Sequence, residues 1–447
     1  MSPHSIEEPM KTIRPAVPAI AAILGEQKKQ DGTAYRLTRH CYRIPCEDGT
    51  LLFHTLTGEL VLLEGDKAPE DHVDELLRKR FFVPEDFDEE ALSQEVSELL
   101  KKMNRRGGAV TSYTILTTTD CNARCYYCYE MGRRRLPMSD RVAHDAAAYI
   151  VRRCCGKPVT LHWFGGEPLY HRRAIELITD DLRKAGIPFH SRMISNGYYL
   201  DNETCTTAVS DWNLKKVQIT LDGTKERYQR AKAFIEQDPY AFERVLNNIG
   251  FALDHGIYVA VRLNVDRSNA EDLHELVRQL AERFGEKSGF HVYAAPLRQF
   301  VGKIVAFEDE MKELEAYESL NRCIDSFAIG RVIPFDNGLR VNRCMADTDS
   351  SEVLLPDGRI GKCEHYSETN LIGSIYHDER DEDMIREWKE VMPHYPECSG
   401  CPLYPRCRQL VKCDYTESRC RKAERLRREH VLQGQMLDEY RKYKLKA

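Results

Sequence analysis

The chain has no uninterrupted apolar stretch near the roughly 20 residues that a helix needs to cross a bilayer. Nor do its 447 residues begin with a charged segment followed by an apolar core and a small-residue cleavage site. Both absences predict a cytoplasmic protein with no membrane partner. Net charge is also small: −6 in a chain that is 30% charged argues against a dedicated nucleic-acid binder. Local basic runs such as Gly132-Arg133-Arg134-Arg135 read as solvated faces. No internal repeat and no low-complexity tract is visible, which excludes a repeat architecture.

Cysteine, by contrast, is abundant. Sixteen cysteines in a chain without secretory features read poorly as a disulfide scaffold, because reducing compartments keep thiols free and a chain this long builds its core without staples. Metal or cluster ligation is the better account. Their distribution agrees: three lie within eight residues from Cys121, and seven lie between Cys344 and Cys420.

At this length several domains are expected. Residues 1–34 lack clear periodicity and read as a leader with one short helix around Ala19 to Gln27. Short strand-like runs follow at Tyr35 to Leu37, Tyr42 to Ile44, Leu51 to His54 and Glu59 to Leu63, punctuated by Asp48-Gly49 and Thr57-Gly58. Helical periodicity then covers Asp71 to Arg80 and Glu89 to Met103, so residues 35–106 form a small sheet followed by helices. Arg105-Arg106-Gly107-Gly108 is a plausible hinge.

Over residues 109–320 strands and helices alternate. The predicted strands are Tyr113 to Leu116, Val159 to Trp163, His190 to Ile194, Lys216 to Thr220, Tyr258 to Asn264 and Phe290 to Ala294. Amphipathic helices fall at Ser139 to Cys154, Arg172 to Ala185, Ala241 to His255 and Ala270 to Phe284. Such alternation implies an α/β fold with a parallel sheet and right-handed crossovers, open or closed into a partial barrel. Ligands in these folds sit at the carboxyl ends of the strands. Residues 321–421 are Cys-rich and turn-rich, and residues 422–447 read as a basic helical tail.

Cys121, Cys125 and Cys128 sit on one loop just after the first predicted strand. Three thiolates on so short a loop can ligate three irons of a cubane cluster and leave the fourth without a protein ligand. A zinc site is the alternative, but zinc normally takes four closed ligands from paired motifs. The spacing of these cysteines, with Tyr127 before the last, resembles the signature of the radical S-adenosylmethionine (SAM) superfamily. That resemblance implies a partial (β/α)6 TIM barrel whose [4Fe-4S] cluster binds the amino and carboxylate groups of SAM and cleaves it to an adenosyl radical.

Further residues match the family's motifs. Gly165-Gly166-Glu167-Pro168, after the second strand, resembles its Gly-Gly-Glu-Pro element; the resemblance implies that the Gly166 backbone and Glu167 carboxylate meet the methionine amino group of SAM. Ser195-Asn196-Gly197 resembles the element whose polar side chains bond ribose hydroxyls. Thr220-Leu221-Asp222-Gly223 ends the fourth strand, and Arg230 beyond it looks like the arginine that pairs with the SAM carboxylate. Arg262-Leu263-Asn264-Val265 would line adenine and ribose, and Tyr127 would stack near adenine. Read without the family, these are ordinary turns, a surface arginine, a plain strand and a tyrosine shielding the loop.

The later cysteines resemble the SPASM domain, which carries auxiliary clusters in radical SAM enzymes acting on peptides and proteins. The likeness implies that Cys344, Cys363 and Cys413 hold a first auxiliary [4Fe-4S] cluster, with Cys323 or a substrate thiolate as fourth ligand. Cys398, Cys401, Cys407 and Cys420 would hold the second, giving three clusters in all. One departure from the family is the five-residue gap before Cys413, where three is usual. Two structural zinc sites are the alternative. Cys41, Cys46, Cys154, Cys155 and Cys205 have no such spacing and read as buried small hydrophobes.

Residues 35–106 look like the winged-helix precursor-recognition module of ribosomal-peptide maturases, which can bind an extended leader peptide by strand addition. The resemblance implies a maturase of sactipeptide or ranthipeptide type. It would join Cys residues of a precursor peptide to carbon as thioethers, with flavodoxin or ferredoxin as electron donor. Carbon–carbon cross-linking, or sulfatase-type oxidation of Cys or Ser, is the competing reaction. Asp222 or Glu364 would accept a proton in either scheme. A reading from another class is a non-catalytic iron–sulfur electron carrier or a zinc-held interaction protein.

Overall fold

Val-, Ile- and Leu-rich runs flanked by turn residues favour buried strands, and six of them build the central sheet. The structure is a computed structural model that describes residues 10–25, 28–65, 68–103, 108–297, 307–330, 339, 341–365, 369–407, 409–413 and 420–446. The chain divides into two compact units, one of residues 1–105, 333–343 and 389–447, the other of residues 106–332 and 344–388.

In the second unit the strands Ser112–Thr118, Val159–Gly165, Phe189–Ser195, Leu214–Leu221, Tyr258–Val265 and Phe290–Pro296 follow one another in space as in sequence. Every neighbouring pair is parallel. Helices Asp140–Arg153, Arg172–Lys184, Ala241–Asp254 and Ala270–Phe284 supply the expected crossovers. Ser139 starts the first of these by accepting the Val142 amide at 3.3 Å. This arrangement is consistent with the expected partial barrel. It also brings the carboxyl ends of all six strands to one rim.

Three further helices flank these strands. Helices Asn202–Ser210 and Lys225–Lys232 complete the crossovers around the fourth strand, and Phe307–Ser326 follows the sixth, running across residue 320 and carrying Cys323. Three short strands extend the sheet at its other end. Ser351–Leu354 pairs parallel with Ser112–Thr118, and Arg359–Gly361 and Gly373–Ser374 follow antiparallel, giving nine strands. Leu116 packs there against Val353 and Leu355 in a small buried cluster.

The first unit holds a four-stranded antiparallel sheet in the order Met10–Arg14, Leu60–Glu64, Gly49–His54, Cys41–Cys46. Its three later strands were predicted; Met10–Arg14 lies in the segment read as a leader. Tyr35–Leu37 pairs with Phe82–Pro84, and Val73–Arg78 and Glu89–Met103 are the helices that follow. The short N-terminal helix is Pro18–Leu24, and the tail is the helix Lys422–Lys444. Residues 105–107 of the predicted hinge lie outside the described residues.

One group of cysteines needs correction. Cys154 and Cys205 are buried as expected, but Cys41 and Cys46 are only half-buried and Cys155 is exposed. Cys155 follows the end of helix Asp140–Arg153 in the left-handed region, φ 52°, which turns it off the helix's buried face. Among the described residues no helix is long and apolar enough to cross a membrane.

Candidate functional site

The loop carrying Cys121, Cys125 and Cys128 leaves the first strand at the rim. It is held from two sides. On one side the turn after the second strand lies against it, the Gly166 amide donating to Thr118 O at 3.1 Å and the Glu167 amide to Asp120 O at 3.0 Å. The approach is so close that a Cβ on Gly166 would sit 2.2 Å from Asp120 O, and one on Gly165, at φ 116°, would sit 2.1 Å from Thr118 O. Within the chain itself the two glycines are therefore required by this backbone contact.

Glu167 is fully buried, and its carboxylate points into the protein. It accepts from Ser195 Oγ at 2.8 Å, from the Asn196 amide at 2.7 Å and from the Leu169 amide at 3.1 Å. Burial raises its pKa to about 7, against the pull of these donors. Ser195 Oγ also accepts the Gly197 amide at 2.9 Å, so its hydroxyl is engaged inside the fold. Asn196 reaches the cysteine loop, donating from Nδ2 to Asn122 Oδ1 at 2.7 Å and lying 3.9 Å from Cys121 Sγ.

On the other side the loop meets the fourth and fifth strands. Tyr127 Oη donates to the Asp222 carboxylate, 2.8 Å from each oxygen. Asp222 also accepts from Asn264 Nδ2 at 3.2 Å and forms a buried ion pair with Lys232 Nζ at 3.0 Å. Arg262 Nε in turn donates to Asn264 Oδ1 at 2.9 Å. Asp222 is thus the hub of a buried polar network, surrounded on all its bonds by donors.

The remaining expected residues are spread more widely. Thr220 lies half-buried in the fourth strand opposite Arg262, and Leu263 is fully buried in the fifth. Arg230 is exposed on helix Lys225–Lys232, whereas Lys232, two residues later, is turned inward. Glu364 is half-buried beside Cys363, just past the strand Arg359–Gly361. Cys344 and Cys363 belong to the second unit with Cys323, and Cys413 to the first.

Sequence reasoning passed over Lys232 and Asn122, and gave Asn264 only a place on the strand lining adenine and ribose. A signal for Lys232 was present: it stands four residues after Tyr228 on one helix face, and a carboxylate buried at a strand end calls for a cation.

Cys398, Cys401, Cys407 and Cys420 all lie in the first unit. Cys398 and Cys401 are buried in a core with Ile44, Leu51, Phe53, Leu432 and Met436. Burial lifts the Cys398 thiol to about 12, and the neighbouring Cys407, Cys401 and Cys420 add to the rise, so the four thiols lie within electrostatic reach of one another. Cys407 is raised likewise to about 11.

Among the described residues no three His, Cys, Asp or Glu side chains are arranged to hold a metal ion as they stand. A cubane distributes its ligands over separate irons, so the thiols that hold it do not meet at one point. Three free, half-buried thiols on one loop, fixed on both flanks and near a buried ammonium, suit such a group.

Residues 115–280 match the family model of the radical SAM superfamily. Fe-coproporphyrin III synthase of Methanosarcina barkeri is 23% identical over 201 residues, 44% of this chain and 48% of its own. The chain spans about half the length of the curated relatives it matches. A solved structure of anSMEcpe with bound AdoMet and Cp18Cys peptide aligns over 75% of this chain and 97% of its own, at 16% identity and TM-score 0.51. That of Streptococcus suis SuiB aligns over 85% and 94%, at 12% identity and TM-score 0.50. The match over residues 115–280 implies a [4Fe-4S] cluster and SAM, and in fold the chain resembles anSMEcpe and SuiB.

Proposed function

We propose that the protein is a radical SAM peptide maturase that forms Cys thioether cross-links in a ribosomally made precursor peptide. The observation that carries this reading is the three-cysteine loop clamped between the turn at Gly166 and the network at Asp222, inside the radical SAM domain. When bound, a cluster on Cys121, Cys125 and Cys128 supplies the electron that breaks the SAM sulfonium bond, and clusters on the later cysteines supply an acceptor for the surplus electron.

The chain's own residues do the positioning. Gly165 and Gly166 let the loop and the next turn approach, Glu167 ties that turn to Ser195 and Asn196, and Tyr127 anchors the loop to Asp222. In the proposed chemistry a peptide carbon gives a hydrogen atom to the adenosyl radical, a cysteine thiol gives up its proton, and a carbon–sulfur bond forms as one electron leaves. A peptide substrate is supported by the fold likeness to anSMEcpe, solved with a peptide bound, and by the small sheet at residues 41–64, whose strands offer an edge for an extended chain.

The test is anaerobic reconstitution with iron and sulfide, followed by reduction with SAM and a Cys-containing precursor peptide. Release of 5′-deoxyadenosine, with loss of a pair of hydrogens and of an alkylatable thiol per bond in the peptide, is the expected result. Clusters without SAM cleavage would instead make the protein an electron carrier. Colourless, zinc-loaded protein would make it an interaction module. SAM cleavage with every peptide thiol still alkylatable would reject thioether formation.

A further inference from the structure

Lys232 is a lysine side chain with almost no access to water, 3% exposed, placed against the cysteine loop. An ammonium in such a place is costly unless paired. Its partners are Asp222, at 3.0 Å, and Tyr127 Oη, to which it donates at 3.2 Å. Tyr127 lies on the loop between Cys125 and Cys128. The rings of Tyr127 and Tyr228 each lie 5.8 Å from Nζ and enclose it further.

The backbone of the same residue touches the loop directly. Lys232 O accepts the Arg124 amide at 2.8 Å, and Cys125 Sγ lies 4.0 Å from that oxygen. Ala233, at φ 44°, then turns the chain so that the Ile235 amide reaches Asn122 O at 2.8 Å. Residues 232–235 therefore run along the loop as a strap, with the buried charge at its start.

An ion pair has no net charge, but it has a direction. Its ammonium end meets the loop through Tyr127 Oη, between Cys125 and Cys128. A fixed positive charge beside an iron–sulfur site favours the form with one more electron, since net charge nearby is one determinant of cluster potential.

We infer that Lys232 is a positioning residue whose buried charge secures Tyr127 and the cysteine loop and raises the reduction potential of the cluster that loop binds. The inference rests on the radical SAM reading of the loop. Arg230 has no such role, because it is exposed on the outer face of the helix.

The experiment is a potentiometric titration of the anaerobically reconstituted full chain, followed by electron paramagnetic resonance and restricted to the signal that changes when SAM is added. Lys232→Met removes the charge at similar volume and Lys232→Arg keeps it. Lys232→Met is expected to lower the ratio of reduced to oxidised cluster about tenfold at a fixed poise, about 59 mV for one electron. Lys232→Arg is expected to restore most of it. Should Lys232→Met fail to fold around its unpaired carboxylate, the double variant Asp222→Asn/Lys232→Met removes both charges. Its potential is expected below that of Asp222→Asn alone, which keeps the ammonium. An unchanged potential in whichever neutral variant folds, with the SAM response intact, overturns the inference alone. Wild-type protein whose signal ignores SAM overturns this inference and the proposed function together.

Discussion

Ser195 donates its hydroxyl hydrogen to Glu167 Oε1 across 2.8 Å, joining the end of the third strand to the turn after the second. Glu167→Ala would leave that hydroxyl and the amides of Leu169 and Asn196 without their acceptor in a buried site. The expected cost is about 1–3 kcal/mol, the usual penalty for stranding buried donors. Urea unfolding followed by tryptophan fluorescence reads it cleanly, since Trp163, Trp212 and Trp388 are buried and all lie in the barrel unit. An unchanged midpoint would remove Glu167 as the fastener.

Gly166→Ala should act on the cysteine loop with no change in any side chain the loop carries. The added methyl meets Asp120 O at 2.2 Å and Cys121 Cβ at 3.2 Å, so the turn and the loop must separate. A destabilisation of about 1–3 kcal/mol is expected from overpacking. Iron bound per chain after reconstitution should fall with it. Wild-type iron content in the variant would show that the close approach does not shape the thiol loop.

Replacing Cys121, Cys125 and Cys128 together by Ala should abolish 5′-deoxyadenosine release while leaving iron on the later cysteines. Iron and sulfide analysis beside product chromatography checks both halves. Residual SAM cleavage above the uncatalysed background contradicts the proposed ligand set.

Acid should loosen the first unit. Burial, with the adjacent Arg39 charge, pulls His40 from 6.5 to about 3, and burial, with His40, pulls His54 to about 3. His54 Nδ1 already accepts the amides of Leu56 and Thr57, at 3.3 and 3.2 Å, and so has no room for a proton there. Both groups take up protons more readily in the unfolded chain. Their contribution is therefore complete above about pH 6.5 and declines as pH falls toward 3, by at most about 1.4 kcal/mol per pH unit for each histidine. Hydrogen exchange of peptides from residues 49–64, corrected for intrinsic rates, should show protection falling from pH 7 to pH 5. A His54→Phe variant should show a shallower fall.

The barrel was legible in the sequence because each of its six strands is a run of apolar and β-branched residues, and the helix after Ser139 or before Gly285 keeps an apolar stripe. Met10–Arg14 was not legible. Its five residues pair with Leu60–Glu64 through backbone bonds that composition does not announce, and its burial pattern lacks a clean alternation. The site was legible at its motifs, and these do converge: Cys121, Gly166, Asn196 and Asp222 all touch the thiol loop or belong to it. Which side chains point inward was not. Spacing put Arg230 forward, but the turn of the helix exposes it and buries Lys232. Glu167 and Ser195 face each other for the same reason, since only the folded chain reveals which polar groups are already satisfied.

Ser351–Leu354 enters the sheet beside Ser112–Thr118, more than two hundred positions after it in the chain. The strand that delivers the thiol loop is consequently flanked on both sides, by a neighbour made early and by one that arrives only when most of the polypeptide exists. Truncation near residue 330 would not liberate a free-standing catalytic core: it would expose that strand's ladder to other chains and invite aggregation.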